Sequence, residues 1–268
     1  MVVLITGATG GLGKVLGTTL VDKGIKVYGT TRNAKNKQGD LPFPLLTLEA
    51  TDSGSVERCI NELVEREGRI DVLINCVNEM IIGSVEEQTV EEVEQLYSTN
   101  IFGVLRICKQ VIPVMRRQGG GTIVNMSSLG GLLAVPYMSA YTSAKFALEA
   151  MSEALYLEMK PHNIDVVIMQ PVAMYMDRPA TGNHLRAVKN VAPSSFTNDM
   201  VSMMARDTAS SKLTPEMVAN KIYSVITREK KPLRVPMDKA KAITIFKRFL
   251  PQFLLHKMIR SLLNSAKA

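Results

Sequence analysis

The chain has 268 residues, 46% of them hydrophobic, which is enough for a sizeable core in one large domain or two small ones. Its net charge of +7 is uneven: residues 237–268 carry +6 and residues 1–236 carry +1, and no base-stacking platform or recognition motif accompanies the charge, which argues against nucleic acid as a partner. Cys59, Cys76 and Cys108 show no metal spacing and form no even set, no apolar run is long enough to cross a bilayer, and no secretory signature precedes Val2, so a reducing, cytoplasmic location without a metal is expected.

Val2–Thr6 is a short apolar run ending at a glycine-rich turn, the pattern of a buried parallel strand. A helix over Leu12–Lys23 and a strand over Lys26–Thr30 follow, then a short polar connection with Pro42 and Pro44 that leaves no room for a long second helix. Leu45–Glu49 reads as strand three, Ser53–Glu67 as a helix and Val72–Asn75 as strand four. Glu91–Arg117 is one long helical pattern carrying Pro113, broken at Gly119-Gly-Gly121 before strand five at Thr122–Met126. Met138–Lys160 is a helix, Ile164–Met169 strand six, Pro215–Arg228 a helix and Leu233–Val235 a seventh strand, while residues 172–213 show no clear period. The unbroken β/α alternation predicts an α/β fold, a Rossmann-type doubly wound parallel sheet with helices on both faces, over residues 1–236, followed by a helical extension at 237–268.

The turn Thr6-Gly-Ala-Thr-Gly-Gly-Leu-Gly13 sits where a dinucleotide pyrophosphate meets backbone N–H groups at a helix start, with Thr6, Gly7, Thr9, Gly11, Leu12 and Gly13 as its residues. Strand two ends in Thr30-Thr31-Arg32 with no acid to accept a ribose 2′-hydroxyl. Arg32 can grip a 2′-phosphate through its planar fork, with Thr31 adding a hydroxyl and Lys14 close in sequence, so NADP(H) is expected ahead of NAD(H); the bland alternative is a solvated arginine.

Tyr141-Thr-Ser-Ala-Lys145 places a lysine one helical turn beyond a tyrosine, and Ser128 lies thirteen residues before that tyrosine, just past a strand. Tyrosine can exchange a proton with a carbonyl or alcohol oxygen, lysine can lower its pKa from about 10, and serine can hold the substrate oxygen. Tyr156-Leu-Glu-Met-Lys160 has the same spacing, but Ser143 before it would lie on the same helix and Pro161 ends that helix, so Tyr156 and Lys160 read as ordinary helix residues.

From Val2 to about Pro236 these motifs, in this order, resemble the short-chain dehydrogenase/reductase family. Lys26-Val-Tyr-Gly-Thr-Thr-Arg-Asn33, the long loop after strand six and Thr214-Pro-Glu-Met-Val-Ala219 with its basic tail are similar to the 17β-hydroxysteroid and retinol dehydrogenase branch. The resemblance implies Tyr141 as general acid in reduction and base in oxidation, and Ser128 on the substrate oxygen. It implies Lys145 on the nicotinamide ribose hydroxyls, favouring tyrosinate, and Asn100 supporting a water relay to Lys145. It also implies cofactor contacts at Glu49 and Ala50 near adenine (with Asp52 nearby), at Asn75, Cys76 and Val77, and at Pro171 and Val172, together with a homodimer or homotetramer through the Glu91–Arg117 and Met138–Lys160 helices.

Three positions depart from the family pattern. Asn78 stands where a glycine passes the cofactor, and asparagine tolerates positive φ better than most residues. Val172 replaces a second glycine, and Met176 replaces a threonine that usually holds the nicotinamide carboxamide.

The segment 172–213 is the expected substrate loop, and Met174 and Met176 with Met200, Met203 and Met204 suit an adaptable apolar pocket, unless they simply fill the core or a dimer contact. A lipophilic ketone, aldehyde or alcohol is the expected substrate, although Arg178, His184 and Arg186 could meet a carboxylate. In the tail, Ile243, Phe246, Phe249, Leu250, Phe253 and Leu254 give a greasy face flanked by basic residues and divided by Pro251. Peripheral contact with an anionic membrane, a cap over the pocket and a dimer contact all remain open for it. The leading reading is an NADP(H)-dependent carbonyl reductase or alcohol dehydrogenase; the alternatives are a dinucleotide-binding scaffold without turnover and a non-redox acid/base enzyme on the same fold.

Overall fold

The computed structural model describes residues 1–175, apart from 38 and 40, and residues 186–265. Seven parallel strands form the central sheet in the order β3-β2-β1-β4-β6-β7-β9. They are β1 (Val2–Thr6), β2 (Lys26–Thr31), β3 (Leu45–Thr47), β4 (Val72–Asn75), β6 (Gly121–Met126), β7 (Ile164–Gln170) and β9 (Arg234–Pro236). The seven strands and the parallel pairing match the sequence expectation.

Alternate residues of the central strands enter opposite cores because successive side chains leave a strand on opposite faces. Leu4, Leu73, Ile123 and Val166 join one core with α2 (Ser53–Glu67), α4 (Val104–Arg117) and α5 (Ser139–Met159). Val3, Ile5, Val72, Ile74, Val124 and Val167 join the other with α1 (Gly11–Asp22) and α7 (Pro215–Ile226). Both faces are therefore covered, which is why these strands read as continuous apolar runs rather than alternating ones.

Strand order reverses between β1 and β4, and the crevice outside the carboxyl ends of those strands is where open α/β sheets take ligands. Thr6 and Asn75, the last residues of β1 and β4, are register partners there.

Three features were not expected from the sequence. The long helix splits into α3 (Val90–Tyr97), a π-helical turn at Ser98–Gly103 and α4, with Asn100 inside the turn. A small parallel sheet pairs β5 (Ile81–Ile82) with β8 (Arg186–Ala187). The segment without clear period contains α6 (Thr197–Ala209), tied down where Thr197 Oγ1 donates to Glu87 at 2.5 Å. The tail folds as α8 (Lys239–Phe249) and α9 (Gln252–Ser265), separated at Pro251. Among the described residues no helix is long and apolar enough to cross a membrane.

Candidate active site

The glycine turn links β1 to α1. Gly7 adopts φ +68°, the left-handed region open to glycine, and a Cβ on it would lie 3.3 Å from the Val77 backbone. A Cβ on Gly13 would lie 2.5 Å from the Gly7 carbonyl oxygen and 2.8 Å from the Ala8 Cα, so only glycine lets the helix start pack onto the turn. Gly10 caps α1 in an extended conformation with no side-chain bond to the first helical amides. Bare backbone and uncapped amides at the switch point fit a pyrophosphate group.

Thr6, expected at the cofactor, is fully buried, and its hydroxyl accepts from the N–H groups of Cys76 (3.0 Å) and Val77 (3.3 Å). It builds the crevice by clamping the chain after β4 onto β1. The side chain of Asn75 is likewise turned inward: Nδ2 donates to Asn125 Oδ1 at 2.8 Å, and its own Oδ1 is buried without a partner. Cys76 is half-buried, and desolvation pushes its thiol up to about 12, which disfavours the thiolate a nucleophile needs. Asn78 is exposed and does not use the left-handed conformation, since the non-glycine residues with positive φ are Tyr137, Asn163 and Asp238 among the described ones. The loss of glycine there needs no φ tolerance.

At the end of β2, Thr9 Oγ1 donates to Thr31 Oγ1 at 3.3 Å and the Ala8 N–H donates to Thr30 O at 2.9 Å, which holds this strand end against the glycine turn. Arg32 follows, exposed, as is Lys14 in the first turns of α1. Beyond β3, Glu49 Oε1 accepts from Thr51 N (3.1 Å) and Thr51 Oγ1 (2.9 Å), and Asp52 caps α2 through Gly54 and Ser55. These two acids spend their oxygens on local turns; Ala50 is buried beside Gly103.

Ser128, Tyr141 and Lys145 come together at the carboxyl end of β6. Ser128 opens a short 3-10 turn, Leu129–Gly131, accepting from the Gly130 N–H at 3.1 Å. That turn packs on α5 so closely that a Cβ on Gly130 would lie 3.2 Å from the Tyr141 ring. Tyr141 is 8% exposed. Burial raises the Tyr141 pKa, and the Ser128 hydroxyl pulls it partly back. Lys145, 2% exposed, donates to Met126 O at 2.8 Å and sits 5.6 Å from the centre of the Tyr141 ring. Burial pulls its pKa down to about 8, with the attraction of the Glu149 carboxylate opposing it.

Asn100 stands in the π-helical turn with both ends of its amide engaged by one residue: Oδ1 accepts from the Glu79 N–H and Nδ2 donates to the Glu79 carbonyl, each at 2.7 Å. It fixes the chain between β4 and β5. Lys160 lies over the Tyr156 ring at 5.0 Å near the end of α5, and Tyr156 packs against the core shared by α2, α4 and α5.

After β7, Pro171 is buried and its carbonyl accepts from the Leu129 N–H at 2.9 Å, joining this loop to the Ser128 turn. Val172 and Met174 are partly buried against the core shared with α1 and α7, and Met200 is fully buried, which is a packing role for that methionine. Met176, Arg178 and His184 lie outside the described residues, and only the backbone of Arg186 is described.

Sequence reasoning missed one group. Glu149, a further turn along the Tyr141–Lys145 face of α5, is buried and accepts from Gln170 Nε2 (2.9 Å) and Arg234 Nε (3.0 Å). Arg234 also reaches Glu153 at 2.7 Å. The spacing 141–145–149–153 was the available signal; the arginine from β9 was not visible in it.

A doubly wound sheet with a glycine turn at its switch point and a Ser–Tyr–Lys group at its carboxyl edge sets an acid/base group beside a crevice fit for a dinucleotide. Residues 1–183 match the short chain dehydrogenase family, and the chain belongs to it. It is 42% identical over 170 residues to a 3-ketodihydrosphingosine reductase of Bacteroides thetaiotaomicron, a match covering 63% of this chain and 62% of that protein, under two thirds of the relative's length. It is 30% identical over 239 residues to an oxidoreductase of Botryotinia fuckeliana, covering 86% of each. A solved short-chain dehydrogenase from Streptomyces avermitilis superposes with a TM-score of 0.80 at 27% identity, covering 99% of this chain and 95% of that one.

Proposed function

We propose that this chain is an NADP(H)-dependent oxidoreductase interconverting a lipophilic ketone and its alcohol, the carbonyl being borne on a long apolar chain. The carrying observation is the Ser128–Tyr141–Lys145 group, its tyrosine and lysine buried, on the same sheet edge as the glycine turn. The nicotinamide, when bound, supplies the hydride.

The amides at Gly7, Gly11, Leu12 and Gly13 bind the pyrophosphate, and Arg32 with Thr31 and Lys14 binds the 2′-phosphate. Ser128 holds the carbonyl oxygen. Tyr141, kept protonated by burial, donates its proton to that oxygen in reduction. Lys145 binds the ribose hydroxyls and, as a cation, stabilises the tyrosinate left behind. Asn100 positions the Glu79 turn on the approach to Lys145.

Residues 1–236 act as one dinucleotide-binding unit in which 172–213 is the substrate loop, with Met174 on its path. The likeness of the Lys26–Asn33 stretch to hydroxysteroid and retinol dehydrogenases, and of the chain to a reductase of a long-chain keto base, both favour an apolar-chain carbonyl. Exposed Phe102, Leu105, Phe146 and Leu157 on the outer faces of the π-helical turn, α4 and α5 suit a homodimer or homotetramer contact.

The test has two parts. Fluorescence titration should give tight NADPH and weak NADH binding. Turnover of 3-ketodihydrosphingosine, a steroid ketone and retinal should favour the long-chain ketone. Tyr141→Phe should lower turnover by about 10²–10⁴-fold with NADPH affinity unchanged. Turnover that survives this change rules the mechanism out.

A further inference from the structure

The tail has two apolar faces, and its fold uses only one. Ala240 and Leu255 are buried, and Ile243, Leu250 and Leu254 are partly covered. These residues form the covered side of the tail, where α8 meets α9 and β9. The opposite side exposes Ile245, Phe246, Phe249 and Phe253, with Phe249 at 75% and Phe253 at 67% exposure. A segment serving merely as a cap would carry polar residues there.

Around these aromatic rings stand Lys241, Lys247, Arg248, Lys257 and Arg260, all exposed. Arg248 lies over the Phe249 ring at 5.9 Å, so charge and aromatic surface meet on this patch, while Lys247 reaches the Phe146 ring of α5 at 4.8 Å. Asp238 is the only acid between Met237 and Ala268. A two-fold contact between copies would bring this patch against itself and oppose its cations to one another. An anionic surface has the complementary charge.

The patch also has a place relative to the candidate site. The Met237 N–H donates to the Gln170 carbonyl at 3.1 Å, one residue before Pro171, and Lys239 pairs with Asp207 of α6 at 3.8 Å. The tail therefore leaves the sheet at its carboxyl edge, beside the expected substrate loop.

We propose that α8 and α9 dock the protein on an anionic phospholipid bilayer, with Phe246, Phe249 and Phe253 entering the headgroup–acyl boundary and the basic residues on the headgroups. The docking stands apart from which ketone is reduced, and its test reads binding without turnover.

The full chain is sedimented with vesicles of phosphatidylcholine alone and of phosphatidylcholine with phosphatidylglycerol, at low and raised salt. Binding is expected to the anionic vesicles, falling with salt. Phe249→Ser with Phe253→Ser, and separately Lys247→Glu with Arg248→Glu, should each weaken it by about tenfold or more while NADPH binding and thermal unfolding stay unchanged. Absence of binding by folded protein, binding indifferent to both pairs of changes, or a phenylalanine pair that instead halves the mass in light scattering overturns the proposal, the last in favour of a contact between copies.

Discussion

The Lys145 ammonium donates to the Met126 carbonyl at 2.8 Å, so the last residue of a central strand fixes the amine on the first turns of α5. The bond satisfies one of the lysine's donors in a site where it is 2% exposed, and the charge remains costly there. Burial pulls its pKa down to about 8, below the ordinary lysine value of 10.5.

That depression has a signed consequence for stability. Between about pH 8 and about pH 10.5 the unfolded chain holds more protons at this site, so stability rises with pH across that window, and below it the full penalty of about 3 kcal/mol applies. Urea unfolding of the wild type and Lys145→Met should show the wild type gaining on the variant between about pH 8 and about pH 10.5. The lost bond to Met126 offsets the two curves by a constant and leaves the slope difference to report the charge. Parallel curves would mean the amine is not desolvated.

Glu149 holds the Lys145 proton from one turn further along α5, and Gln170 and Arg234 hold Glu149. Glu149→Gln removes the attraction, so the alkaline limb of the rate–pH profile should move down by about half a unit or more. Stability should also fall, because one side of the amide turns N–H groups toward a donor. A variant that loses stability with its pH limb unmoved would reduce Glu149 to a structural residue.

Gly13→Ala puts a methyl group where 2.5 Å separates its position from the Gly7 carbonyl oxygen and 2.8 Å from Ala8 Cα. Both neighbours are backbone, so the turn must shift. We expect a loss of about 1–3 kcal/mol of stability and NADPH affinity weakened by about tenfold or more. Calorimetry and fluorescence titration read the two separately.

Arg32→Ala should weaken NADPH binding by about ten- to a hundredfold, the worth of charge-assisted hydrogen bonds to a phosphate, and leave NADH binding nearly unchanged. Equal loss for both cofactors would place the guanidinium elsewhere than on the 2′-phosphate.

The sequence by itself determined the seven strands of the main sheet, the glycine turn and the Ser128–Tyr141–Lys145 spacing, because each is local. A period of two or 3.6, a turn that only glycine can pack and a tyrosine one helical turn before a lysine are set by covalent geometry within a few residues. Tertiary structure decided what those residues do with their hydrogen-bonding groups. Thr6 spends its hydroxyl on amides some seventy positions away, and Asn75 turns to Asn125 fifty positions on. Asn100 breaks a helical pattern that looked continuous by holding the Glu79 backbone, and Glu149 depends on Arg234 from the far edge of the sheet. The physical reason is burial: once the sheet closes over these groups, each must find a partner wherever the strand order puts one, and that order is fixed by packing between elements distant along the chain.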